Sequence, residues 1–119
     1  LIGANLIEKA SISYNAALNK KASDVSVLDI RGVSNATDFF MVCSGESNRQ
    51  VQAIADEVLT KLREKGVKPI GVEGYKTAKW ILLDFSDIVV HVFHEETRKY
   101  YEIERLWDGV PKVEINITQ

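Results

Sequence analysis

Apolar positions along this chain change their period several times, and each period predicts an element. Leu6, Ile7, Ala10, Tyr14, Ala17 and Leu18 recur at helical spacing. That predicts an amphipathic helix ending near Lys20-Lys21, where cations complement the negative end of the helix dipole. Val25 to Ile30 is rich in β-branched residues, and Thr37 to Cys43 is nearly continuous apolar apart from Asp38. Both read as strands, and the turn-forming Arg31-Gly32-Val33-Ser34-Asn35 between them predicts an antiparallel pair.

The clearest period follows. Val51, Ile54, Ala55, Val58, Leu59 and Leu62 fall on one helical face. Ser47-Asn48-Arg49-Gln50 ahead of them fits a capping box, and Gly66 can take positive φ behind them, so a helix is predicted over 48–65. Val67 to Val72 reads as extended, which completes a strand-helix-strand unit. A right-handed crossover then sets this third strand parallel to the second. Glu73 to Ala78 is polar, contains Gly74 and reads as a loop. Trp80–Asp84 and Ile88–Phe93 read as a hairpin turning through Phe85-Ser86-Asp87. Tyr100, Ile103 and Trp107 share the face of a last helix, stopped by Asp108-Gly109-Val110-Pro111. The sum is an α/β (α+β) sandwich: one mixed sheet of about five strands with three helices, over residues 4–108, with 109–119 as a tail.

Composition narrows the function classes. A length of 119 residues with 45% hydrophobic content suits one domain with its own core. Fifteen Lys and Arg stand against seventeen Asp and Glu, a formal net charge of −2. Domains that bind nucleic acid through its phosphates carry a basic excess, so direct DNA binding is not expected, and a protein component is the better docking partner on any nucleoprotein machine. Lys61, Arg63, Lys65 and Lys68 are interleaved with Glu57 and Glu64 and read as a solvated face. Cys43 has no second cysteine to pair with. No apolar run reaches the length of about 20 residues that spans a bilayer, and no signal-peptide pattern opens the chain, so the expectation is a soluble cytoplasmic protein.

Several residues invite chemistry. Gly45-Glu46-Ser47, at a strand end opening a helix, has the form of an anion-binding turn. Phosphate chemistry with metal also needs acids two apart on an adjoining strand, whereas Asp84 and Asp87 stand three apart across a turn. Ser47 is better read as an N-cap. His91 and His94 point to opposite faces of one strand and, unless the strand bends at His94, cannot share an ion, so His91 reads as a hydrogen-bonded structural residue. Cys43 reads as a buried strand residue. Asp38, inside an apolar strand, reads either as an acceptor fixing the preceding turn or as an interface residue. Trp80 either alternates with Leu82 into the core or anchors an interface beside the Glu73 to Lys79 loop. Of Tyr100 and Tyr101, one is expected to pack and the other to face outward.

A resemblance decides among these. Lys21-Ala22-Ser23-Asp24, Thr37-Asp38-Phe39-Phe40 and the run from Gly45-Glu46-Ser47-Asn48-Arg49-Gln50 to Ala55 resemble the ribosomal silencing factor family, also called Iojap-related. Glu73-Gly74-Tyr75, Trp80 to Asp84, Val90-His91-Val92-Phe93, Arg98-Lys99-Tyr100-Tyr101 and Leu106-Trp107 extend the likeness over residues 4 to 108. It implies a nucleotidyltransferase-like fold without the catalytic acids, no cofactor and no metal. It also implies a non-enzymatic translational inhibitor, often a homodimer when free. Such a factor binds the large ribosomal subunit through ribosomal protein L-fourteen and blocks joining of the small subunit when nutrients are short. On that resemblance Trp80, Tyr75, Glu73, Lys79 and Tyr101 are the candidate partner-binding residues; Asp38, Ser47, Gln50 and His91 keep their reading as structural polar groups. A nucleotidyltransferase-like enzyme, or a nucleotide-binding protein with a degenerate metal site, is the alternative.

Overall fold

The computed structural model describes residues 4–115. Helix α1 (Leu6–Asn19) opens with a complete capping box: the Glu8 N–H donates to the Asn5 side chain, and the Asn5 N–H donates to the Glu8 carboxylate. Strands β1 (Ser23–Asp29) and β2 (Phe39–Gly45) form the expected antiparallel pair. Helix α2 (Asn48–Arg63) begins after the N-cap Ser47 and buries Val51, Ile54, Ala55, Val58 and Leu62 of the apolar positions that its period marked, with Leu59 half-buried. Gly66 takes a φ of +78° behind it. There follow β3 (Gly71–Glu73), β4 (Trp80–Asp84), β5 (Ile88–His94), α3 (Glu95–Tyr100), a 3-10 turn (Ile103–Trp107) and β6 (Lys112–Val113).

The mixed sheet has six strands in the order β3-β4-β5-β2-β1-β6, with β2 and β5 the parallel pair at its centre. Three expectations change here. The third strand runs parallel to β2 in direction, because two antiparallel steps separate it from β5, but β4 and β5 lie between them. It is also shorter than 67–72. Val67 is still bonded back to Leu62, Pro69 has no N–H to give, and pairing starts only with Ile70 N–H on the Asp84 carbonyl at 2.7 Å.

The last helix is broken. Glu102 takes a φ of +49°, and the chain resumes as the 3-10 turn, so Tyr100 is 78% exposed while Ile103 is buried. Arg98 explains the fold-back. Its buried guanidinium donates to the Ser44 hydroxyl and the Asp24 carbonyl at 2.9 Å and to Glu104 at 2.7 Å, clasping the segment to β1 and β2. Finally, Lys112 and Val113, in the segment read as a tail, pair with β1 and supply the sixth strand. This covers an edge that would otherwise present unpaired backbone groups.

Helices α1 and α2 pack on one side of the sheet over Met41, Ile81, Leu83, Val90 and Val92. On the other side Ile103, Trp107 and Val110 cover only Leu28, Ile30, Val42 and their neighbours. Beyond β5, which α3 touches, the outer strands β4 and β3 have no helix packed on that side among the described residues.

Candidate functional site

Residues opposite one another in a sheet point to the same side, so register assigns the open half its side chains. Trp80 lies opposite Phe93, Leu82 opposite His91, and Asp84 opposite Val89. Across the parallel pair, Val89 meets Phe40 and His91 meets Val42. The rings form a continuous strip. Trp80 lies 4.8 Å from Phe93, His91 meets Phe40 edge-on at 4.4 Å, and Phe40 meets Trp107 at 5.5 Å.

Trp80 is therefore neither a core residue nor a loose surface one. It is 39% exposed, with one ring face on the strip, and its indole N–H donates to His91 Nδ1 at 3.0 Å. His91 is buried, and burial pushes its pKa down to about 4, so the ring is neutral and its proton sits on Nε2. That Nε2–H is buried with no partner among the described residues.

The approach to Trp80 is tightly built. Gly74 has a φ of +78°, and a Cβ there would collide with the Trp80 carbonyl, so only glycine fits. The Ala78 N–H and the Thr77 hydroxyl both return to the Gly74 carbonyl. The carbonyl of Lys79 accepts from the His94 N–H at 2.9 Å, and its ammonium reaches Asn48 on α2 at 3.3 Å. Tyr101 is 65% exposed near Lys79, and its ring meets Tyr100 edge-on at 4.9 Å. Both tyrosines face outward, against the expectation that one would pack, because the chain breaks immediately after them. Glu73 lies opposite Leu82 and so borders the open half.

Tyr75 is the member of the group that the structure puts elsewhere. Its hydroxyl donates to Asp56 on α2 at 2.9 Å, its carbonyl accepts from Gln52, and its ring packs on the helix-side core. It does not share a face with Trp80. Asp56 beside the phenol also raises the Tyr75 pKa.

The residues read as structural polar groups make the following bonds. The Ser47 hydroxyl accepts from the Gln50 N–H at 3.1 Å, as an N-cap should. Gln50 does not close the box on Ser47. Its carbonyl oxygen takes the Glu46 N–H at 2.6 Å, and its amide donates to the Lys20 and Lys21 carbonyls, tying the end of α1 to the start of α2. Asp38 is only half-buried and fixes the turn through its backbone: its carbonyl takes the Ile30 N–H, and its N–H donates to the Asp87 carbonyl. No hydrogen bond reaches its carboxylate among the described residues, because Asp29 rather than Asp38 holds the nearby Arg31. Arg31 in turn draws the Asp29 pKa down to about 2.

The groups that invite chemistry are engaged otherwise. Asp84 caps the Ser86 N–H at 2.8 Å, and Asp87 pairs with Lys9 at 3.0 Å. His94 caps the Glu96 N–H, away from His91. Cys43 is fully buried, and desolvation pushes its thiol up to about 12. Among the described residues no group of three His, Cys, Asp or Glu could hold a metal ion. Phe40, Leu82 and Trp107 belong to the strip and were missed by sequence reasoning. Alternation marks which positions share a side of one strand, but only register shows that they meet.

Comparison with known proteins follows the same lines. The family described as "Ribosomal silencing factor during starvation" matches residues 4–119. Ribosomal silencing factor RsfS of Halalkalibacterium halodurans is 44% identical over 108 residues, 91% of this chain and 92% of its own length. The protein of that name from Bacillus subtilis is 41% identical over 105 residues, 88% and 89% of the two chains. A crystal structure from Chromobacterium violaceum superposes with a TM-score of 0.85 at 36% identity, covering 97% of this chain and 95% of that one. Sequence and fold agree over nearly the whole length, and the chain belongs to the ribosomal silencing factor family.

Proposed function

We propose that this protein lowers translation without catalysing a reaction, by setting its open sheet face on the large ribosomal subunit so that the small subunit cannot join. Ribosomal protein L-fourteen is the proposed contact, nutrient limitation the proposed occasion and the cytoplasm the proposed compartment. Family membership supports the ribosomal role. The observation that carries the docking is Trp80, a large aromatic left 39% exposed at the end of an apolar strip. Tryptophan is enriched at the energetic centres of interfaces. Glu73, Lys79 and Tyr101 stand at the margin of that face as its polar rim. The engagement of Asp84, Asp87 and Ser47 in structural bonds supports binding over nucleotidyl transfer. Among the described residues no helix is long and apolar enough to cross a membrane.

Sedimentation of purified subunits with the protein tests this reading. It should travel with large subunits, not small ones, and hold the two apart equally well with and without nucleotide. Migration with the small subunit, or inhibition that requires nucleotide, would refute it. The free protein is further proposed to pair with a second copy, since the sheet ends at β3 and β6. Light scattering that gives monomer mass alone at high micromolar concentration would refute that pairing.

A further inference from the structure

We propose that His91 is a positioning residue for docking: it holds the indole N–H of Trp80 within the protein, so that Trp80 meets its partner as an apolar, pre-set ring. This rests on reading the open face as the docking surface.

The surroundings of His91 ask for a hydrocarbon. Phe40, Trp80, Trp107 and Phe93 ring it at centroid distances of 4.4 to 6.2 Å, and the residue is only 5% exposed. A phenylalanine would fill the same space without burying a polar atom. The imidazole instead brings an Nε2–H that finds no partner among the described residues, which disfavours the folded state. What it contributes in return is a single acceptor, Nδ1, and that acceptor is occupied by Trp80.

Trp80 needs that acceptor in the bound state more than in the free one. Its N–H could turn to water while the face is open. Once a partner covers the ring, an indole N–H without an acceptor would be stranded. The bond to His91 serves in both states. Together with the contact on Phe93 it also fixes the ring before encounter, so less side-chain freedom is lost on docking. Burial keeps His91 neutral through the physiological range, so the acceptor persists there. The partner surface that receives Trp80 is accordingly an apolar cleft and need offer no oxygen to the indole.

Two measurements test this. The first follows the Trp80 indole N–H of the wild-type protein by NMR, where slow exchange with solvent is expected. Exchange as fast as that of free tryptophan overturns the proposal whether or not any variant folds. The second measures binding to purified large subunits for His91→Phe, which lacks the acceptor, and His91→Gln, whose carbonyl can replace it. His91→Phe should melt no lower than wild type, yet its Trp80 N–H should exchange rapidly and its Kd should weaken roughly tenfold. His91→Gln should recover part of both. If Trp80→Ala abolishes binding while His91→Phe leaves the Kd and the N–H unchanged, the positioning role fails and the docking face stands. Wild-type binding by Trp80→Ala sinks the docking reading itself.

Discussion

The two sides of the sheet are made by the same strands and finished differently. On the helix side, aliphatic residues such as Met41, Ile81, Leu83, Val90 and Val92 are sealed under α1 and α2 with no measurable exposure. On the other side the chain supplies one short helix, a 3-10 turn and a clasp at Arg98, which cover Leu28, Ile30, Val42 and Phe93. Beyond them lies an aromatic strip in which His91 Nδ1 holds the Trp80 N–H, while the His91 Nε2–H has no partner among the described residues. Aliphatic side chains pack densely and gain from complete removal of water. Planar rings lose little freedom when a second surface later covers them. One side is therefore suited to holding the fold, and the other to being covered by something else.

The largest effect should come from the sealed side. Ile54→Ala opens a cavity under α2 and should cost about 4 kcal/mol of stability, read as a lower denaturant midpoint. The fraction that remains folded should still bind large subunits. Loss of binding without loss of stability would break the division of labour.

Acid should weaken the protein through the aromatic side. His91 has a pKa of about 4 in the fold against 6.5 when free, so between these values the unfolded chain binds more protons. Stability contributed by the neutral ring is full above pH 6.5 and falls as the pH drops toward 4, by about 3 kcal/mol in all. Urea midpoints measured over that range should fall more steeply for wild type than for His91→Gln. Equal slopes would mean that His91 is not held neutral.

Trp80→Ala should weaken large-subunit binding by about 2 kcal/mol, roughly 30-fold in Kd. Being partly exposed already, it should destabilise the fold less than Ile54→Ala does. A melting loss equal to that of Ile54→Ala would class Trp80 with the core after all. The smallest effect belongs to Tyr75→Phe. It removes a bond to Asp56 on the helix side and should leave subunit binding within about twofold of wild type. A tenfold loss would show that the interface wraps around the sheet edge.

Local pattern was enough for most elements. The period of α2, the turn between β1 and β2 and the hairpin at Phe85-Ser86-Asp87 each rest on residues within a few positions of one another. The blocks from Lys21 to Trp107 carried the family for the same reason, since order and spacing are properties of the chain itself. Ser47 as an N-cap and Cys43 as a buried, unreactive thiol were legible too.

Other features depend on residues far apart in the chain. That β5, and not the strand after α2, lies beside β2 follows from a ladder joining Phe39–Gly45 to Ile88–His94. That Gln50 reaches the end of α1, and that Arg98 gathers Asp24, Ser44 and Glu104, needs segments up to 74 residues apart to meet. The separation of Tyr75 from Trp80, five positions later, turned on which way one tight loop folds against α2. Alternation along a strand divides its side chains into two sets, but it does not say which set the helices will cover. That choice belongs to long-range packing, and here it left Trp80 on the side that α1 and α2 do not cover.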